Sequence, residues 1–175
     1  AGLRTGLEAA SLEYVVSTDS DMPVDLAEIG PALDLLVRGG VDVVAGRRIE
    51  RHGDGLVRWI CTEGYDLVVS AAIGVRVDDV NFAFKVARTD LLRSLDLRSD
   101  GAFIDAELIA SALLMGHEVE VLPMTYRPRQ FGQSSTLTPR TLARLGREFV
   151  HHVPRLRRLR RDRRSTPDGA AQRNG

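Results

Sequence analysis

The spacing of apolar residues alternates between a helical and a strand period along most of the chain. Apolar positions three to four residues apart predict helices, and short apolar runs or strict alternation predict strands. The predicted elements are, in order, a helix over 2–10, strands over 14–18 and 41–45, a helix over 56–73, a strand over 81–87, a helix over 103–115, a strand over 118–124 and a basic helix over 142–164. Strands that alternate with helices predict a layered α/β fold.

Local signals refine the helix boundaries. Asp25 and Glu28 have the spacing of a capping box, which predicts a helix start, and Pro31 predicts a kink or a restart soon after it. Gly116 supplies a stop for the apolar helix that precedes it. Pro154 is expected to interrupt the basic helix.

Composition excludes some kinds of site but indicates only an ordinary class of protein. The 175 residues carry no net charge, and with 43% hydrophobic and 27% charged residues they are typical of an ordinary globular domain. Cys61 is the one cysteine, which excludes an internal disulfide and a cysteine-rich zinc site. Residues 155–164 hold seven arginines against one acid. We expect one domain over 1–138, a basic helix over 139–164 and a disordered tail over 165–175.

Two acids directly follow the first predicted strand. Asp19 and Asp21 stand one residue apart at its carboxyl end, which is where open α/β folds bind ligands. Paired carboxylates there can hold a hard divalent cation, and such an ion stabilises a departing diphosphate. Acid pairs at strand ends also serve as helix caps or lie in solvated turns, so the spacing alone leaves both interpretations open.

Three further clusters lie near predicted strand ends or in a polar loop. Arginine forks and serine hydroxyls suit phosphate oxygens, and a lysine within a strand can reach an anionic ligand. Each cluster alone also has an ordinary interpretation. The arginine pair is more often surface charge, the lysine segment can be an edge strand with a charged end, and the polar loop can be solvated and flexible. The clusters are Gly46-Arg47-Arg48, just past the strand over 41–45, the segment Asp79–Lys85, with the one lysine of the chain, and the loop segment Arg127–Ser135.

The order of these clusters resembles that in family 2 glycosyltransferases of the dolichyl-phosphate mannose synthase type. That family has the GT-A fold, a Rossmann-like α/β architecture whose mixed sheet is flanked by helices. The motifs that carry the resemblance are D-x-D at Asp19–Asp21, G-x-R at Gly46–Arg48, D-x-x-x-G-F-K at Asp79–Lys85, E-L at Glu107-Leu108 and R-x-x-G-x-S at Arg129–Ser134. The family's opening strands have no counterpart, so the resemblance predicts a GT-A domain without its first strands, and poor transfer by this chain alone.

The resemblance implies an inverting, metal-dependent transfer of a hexose from GDP-mannose or a UDP-sugar to a polyprenyl phosphate. Within that scheme Asp19 and Asp21 would bind Mg²⁺ or Mn²⁺, and Asp21 and Asp79 would be the catalytic residues. Asp19, with Asp21, would also bind the donor diphosphate, and Asp79 would lie near the acceptor, in a site that Lys85 supports. Phosphates of donor or acceptor would be bound by Arg48, Arg129 and Ser134. Pro23, in place of a metal-binding glutamine, and Ala83, in place of the glycine of G-F-K, depart from the family pattern.

The partners expected are therefore a nucleotide-sugar, a lipid phosphate and an anionic membrane surface, with the protein peripheral at the cytoplasmic face. Leu156 and Leu159 share a helical face among the terminal arginines, which is typical of surface-binding helices. A sugar acceptor and a non-catalytic, partner-binding remnant are the alternatives. A nucleic-acid partner is not expected, because the arginines lack interleaved aromatic residues.

Overall fold

A computed structural model describes residues 2–20, 24–49, 64–71, 74, 79, 82, 84–101, 103–125 and 139–165 of the chain. Within these ranges the fold is α/β, a mixed four-stranded sheet flanked by helices, as predicted. The strands are β1 (Tyr14–Thr18), β2 (Val43–Arg48), β3 (Phe84–Arg88) and β4 (Val119–Met124). The helices are α1 (Gly2–Ala9), α2 (Ile29–Arg38), α3 (residues 64–71), α4 (Thr89–Ser94), α5 (Ile104–Met115) and α6 (Pro139–Ser165).

The strand order is β1-β3-β2-β4, and only β3 runs against the others. It pairs antiparallel with β1 and with β2, whereas β2 and β4 are parallel. The carboxyl ends of β1, β2 and β4 therefore meet at one edge of the sheet, where β3 begins. This carboxyl edge is the side on which α/β sheets bind ligands.

The predicted strand over 41–45 was wrong at both ends. β2 begins only at Val43 and continues through Gly46 to Arg48. Parallel pairing with β4 holds the extension, with Arg48 opposite Met124. Glycine is required within this strand because a Cβ on residue 46 would lie 2.8 Å from the side chains of Phe82 and Met124. Gly46 is thus a packing position, and Arg47 and Arg48 are strand residues that do not lie beyond a strand end.

Two other predicted boundaries need correction. The strand over 81–87 begins only at Phe84 and runs to Arg88, because Asp79 and Phe82 form a turn before it, in which the Phe82 amide donates to the Asp79 carbonyl at 2.8 Å. Pro154 does not interrupt the basic helix, since α6 is continuous across it. One lost backbone hydrogen bond is outweighed there because the flanking Val153 and Leu156 are buried.

The helix boundaries that depend on local signals agree with the predictions. Asp25 accepts the Ala27 amide at 3.0 Å and caps a 3₁₀ turn, which gives way to α2 at Ile29. Pro31 thus falls in the first turn of α2, where amides have no intrahelical acceptor and proline is tolerated. Gly116, with φ of 94°, ends α5 in the left-handed conformation.

Two apolar layers cover the two faces of the sheet. One face packs under α1, α4, α5 and α6, with Val43, Ala45 and Ala87 pointing into that layer. The other packs under α2, with Val44, Phe84 and Val86. Alternation along each strand then assigns the remaining strand residues to one face or the other. We call these the α5 face and the α2 face.

The basic helix α6 belongs to the core. Leu156 is 1% exposed and packs with Val153 against α5, and the partly buried Leu159 packs against the same cluster. The apolar stripe expected to face a membrane therefore faces the protein. Phe103 at the start of α5 contacts Phe149 edge-on at 5.9 Å between ring centroids, which adds to this interface. None of the described helices has the length and apolarity needed to cross a bilayer.

Candidate functional site

The carboxyl edge of the sheet gathers the described members of the predicted site. Asp19 follows the last residue of β1 and is exposed, and Arg48 is the last residue of β2. Asp79 belongs to the turn that leads into β3, and Lys85 is the second residue of that strand. Residues from three separate parts of the sequence therefore share one edge, because the chain reaches it at the end of β1 and β2 and at the start of β3.

Arg48 and Asp79 form a closely matched ion pair. The Arg48 Nη2 donates to one oxygen of Asp79 at 2.9 Å, and its Nε and its backbone amide donate to the other at 3.1 Å each. Their side chains are 9% and 0% exposed, so both charges are removed from water and compensate each other. The Arg48 guanidinium also lies over the Phe82 ring, 5.9 Å from its centroid.

The backbone of Asp79 is strained and held from a second direction. Its φ of 49° lies in the left-handed region, which is uncommon for a residue with a side chain. Asp66 on α3, itself buried, accepts the Asp79 amide at 2.8 Å. Sequence reasoning missed Asp66, although an acid three residues before the apolar Val69 on one helical face was a usable signal.

Lys85 is buried among polar partners. Its side chain is 3% exposed, and its Nζ donates to the Phe82 carbonyl at 2.7 Å and to Asp105 at 2.5 Å. Asp105 lies in the first turn of α5 and keeps 28% of its side chain exposed. Lys85 thus ties the turn before β3 to α5, and Asp105 is a second residue at this edge that sequence reasoning did not place there.

Glu107 of the E-L motif is buried and hydrogen-bonded within the fold. Its side chain is fully buried, and it accepts the Arg98 and Ser99 amides at 3.0 and 2.7 Å and the Arg155 Nη1 at 2.8 Å. The expectation that a carboxylate on so apolar a helix would have partners is met. These partners lie in the loop before α5 and on α6.

The rest of the predicted site lies outside the described residues. This holds for Asp21, Arg129 and Ser134, and also for Pro23 and Ala83. Asp19 supplies a hard oxygen donor of the kind that Mg²⁺ and Mn²⁺ prefer, so its chemistry fits a divalent cation. Within the described ranges, no group of three or more His, Cys, Asp and Glu side chains could hold a metal. The metal site therefore stays a prediction.

Comparison with known proteins shows a distant similarity to a transferase. No protein-family model matches the chain. A dolichyl-phosphate hexose transferase from Haloferax volcanii is 27% identical to it over 134 residues, which cover 73% of this chain and 58% of the relative. The chain thus corresponds to little more than half the length of that protein. The similarity supports a glycosyltransferase-like chain.

Proposed function

We propose that this protein transfers a hexose from a nucleotide-sugar to a polyprenyl phosphate, with inversion and with a divalent cation. The observation that carries the proposal is the gathering of Asp19, Arg48, Asp79 and Lys85 at the carboxyl edge of one sheet, in the motif order of the resembling family. The similarity to a dolichyl-phosphate hexose transferase supports the transfer of a hexose and a dolichyl-type phosphate as the acceptor.

The reaction is an in-line displacement at the anomeric carbon. An oxygen of the lipid phosphate forms the new C–O bond while the bond to the donor diphosphate breaks, and the nucleoside diphosphate leaves with that electron pair. The acceptor phosphate is already ionised near neutral pH, so it needs positioning and charge screening more than a strong base. An ordered edge with several fixed charges suits that task.

The proposed residue roles follow from this chemistry. Asp19 and Asp21 hold the divalent cation, which when bound offsets charge on the departing diphosphate. Arg129 and Ser134 contact phosphate oxygens, as the resemblance implies. Arg48 fixes the carboxylate of Asp79 beside the acceptor through the three hydrogen bonds described above. A contact of Arg48 with phosphate uses guanidinium N–H groups that do not bind Asp79.

Lys85 supports the site from beneath in this scheme. Its ammonium is held between the Phe82 carbonyl and Asp105, so it orders the turn that carries Asp79. The lipid acceptor places the enzyme at a membrane surface, and we propose a peripheral position at the cytoplasmic face. The exposed Arg157 and Arg158 of α6 provide positive charge for that contact.

A transfer assay with the complete protein tests the proposal. The assay follows label from GDP-mannose or a UDP-hexose into a short-chain polyprenyl phosphate with Mg²⁺ or Mn²⁺. Asp21→Asn is expected to lower transfer at least about a hundredfold, the scale of losing one electrostatic stabiliser. Asp34→Asn, at an exposed acid on α2 paired only with a neighbouring arginine in the described structure, is the matched control. Transfer by Asp21→Asn within threefold of the parent, at saturating metal, would refute the metal role.

A non-catalytic binding role is the second candidate. The observation that favours it is the burial of Asp79 against Arg48, which engages two predicted site residues with each other. The same assay separates the candidates, because a binding protein would show no metal-dependent transfer with any of these donors.

A further inference from the structure

The register of the sheet places Arg47 at the carboxyl edge, where β1 also ends. Ser17, Lys85 and Ala45 form one row across β1, β3 and β2. Arg47, two residues after Ala45 in β2, lies on the same face as Ala45, and Asp19 is the residue that follows β1 at this edge. This is the α5 face, because Ala45 and Ala87 point into the layer under α5. Two strand spacings separate Arg47 from Asp19, roughly 10 Å between backbones.

Arg48, the next residue, lies on the other face and is already engaged. Its Nε and Nη2 bind Asp79, and its side chain is only 9% exposed. Arg47 is exposed, and among the residues that the structure describes it makes no ion pair or side-chain hydrogen bond. The two adjacent arginines therefore differ in what their guanidinium groups can still bind.

We propose that Arg47, exposed on the α5 face at the carboxyl edge, binds a phosphate group of the substrates. The inference rests on the proposed function and extends it to a residue for which the resemblance implied no role. A carboxylate that holds a cation and a guanidinium that forks onto oxygens bracket a polyanion from its two sides. In the row formed by Ser17, Lys85 and Ala45, the one charged side chain, Lys85, is already paired to Asp105. Among the residues that the structure describes, Arg47 is therefore the exposed cation on this face at the carboxyl edge.

The phosphate group can belong to the donor diphosphate or to the acceptor monophosphate. Both present the same oxygens, so the test uses two probes with the purified chain. Titration calorimetry measures binding of inorganic pyrophosphate with Mn²⁺, and separately of a short-chain isoprenyl monophosphate. Arg47→Gln is expected to weaken at least one of them tenfold or more, the scale of a charged hydrogen bond, about tenfold to a hundredfold. A loss confined to one probe identifies which phosphate Arg47 contacts.

Two matched variants make the result specific. Arg38→Gln removes an exposed arginine from α2 and should leave both affinities within twofold. Arg47→Lys keeps the charge without the fork and should fall between the parent and Arg47→Gln. Equal binding by the parent and Arg47→Gln overturns the inference, and so does a parent that binds neither probe. Because the readout is binding, the two proposals can fail separately. A parent protein that transfers no hexose but binds phosphate through Arg47 would refute the proposed function and leave this inference standing.

Discussion

Arg155 of α6 donates a 2.8 Å hydrogen bond to Glu107 of α5, a carboxylate with no exposed surface. The Nη2 of the same guanidinium donates to the carbonyls of Leu95 and Asp96 at 3.2 and 2.8 Å. One arginine of the basic segment thus closes the loop before α5 and compensates a buried charge. This residue is part of the fold, whereas Arg157 and Arg158 on the same helix are exposed.

Removing either member of this pair should destabilise the domain strongly. Glu107→Ala is expected to lower the free energy of unfolding by about 3–5 kcal/mol, because it leaves the Arg155 Nη1 and two backbone amides without the acceptor they share and removes the buried partner charge. Arg157→Ala, at an exposed position on the same helix, should change it by less than about 0.5 kcal/mol. A double-mutant cycle of Glu107→Ala and Arg155→Ala by urea unfolding should give a coupling of about 0.5–3 kcal/mol. Strict additivity would show that the pair does not hold α6.

The glycine in β2 makes a second prediction, with its control inside the same chain. Gly46→Ala should destabilise by about 1–3 kcal/mol, because its Cβ would be forced into Phe82 and Met124. Gly6→Ala in α1 meets nothing within 4 Å and should stabilise by about 0.4–1 kcal/mol. Thermal and urea unfolding measure both. Equal and favourable effects at the two glycines would contradict the packing at Gly46.

The Asp96 carboxyl gives a pH-dependent prediction. The hydrogen bond from Arg98 is the largest effect and lowers its pKa below the ordinary value; burial acts against it, and the charges of Arg98 and Arg155 lower the pKa further. A lowered pKa in the folded state means that this stabilisation is complete above the unfolded-state pKa of about 3.9 and is lost as pH falls through the folded-state pKa. Asp96 has φ of 48°, which asparagine also tolerates, so Asp96→Asn isolates the charge.

NMR titration of the Asp96 carboxyl should place its midpoint below that of an ordinary aspartate, and Arg98→Gln should move it upward. The stability difference between the parent and Asp96→Asn should shrink as pH falls below about 4. The side chain is largely exposed, so the effect on stability is small. A midpoint at or above the ordinary aspartate value would contradict the contact with Arg98.

Elements with a local cause were predicted closely. The strand over 14–18 coincides with β1, and the apolar helix over 103–115 matches α5 within one residue. The stop at Gly116 follows from one residue's freedom to adopt positive φ. Periodicity and single breakers act within a few residues, so a sequence alone carries them.

The predictions that were wrong or missing concern contacts between residues distant in sequence. The extension of β2 to Arg48 requires pairing with β4, and the late start of β3 requires the turn that Lys85 holds from below. Asp66 enters the site through one hydrogen bond to Asp79, thirteen residues away. Such contacts have no period, so motif order could indicate the shared edge without revealing which side chains are already paired there.

The exposed arginines of α6 should bring the protein to anionic membranes by charge alone. Leu156 and Leu159 pack against the core, so insertion of an apolar helical face is not available to them. Arg157 and Arg158 are exposed and can approach a surface. Each basic residue near such a surface contributes about 1 kcal/mol, so replacing both with glutamine should weaken binding about thirtyfold, and added salt should weaken the parent in the same direction. Co-sedimentation with phosphatidylcholine vesicles, with and without phosphatidylglycerol, measures this.

Arg38→Gln with Arg88→Gln removes the same charge from exposed positions elsewhere and is the control. Deleting residues 155–175 would not be a clean test, because it removes Arg155 and Leu156 from the core as well. Equal sedimentation of the α6 variant and the control would rule out α6 as the membrane contact, and binding that persists at high salt would point to apolar insertion by another part of the chain.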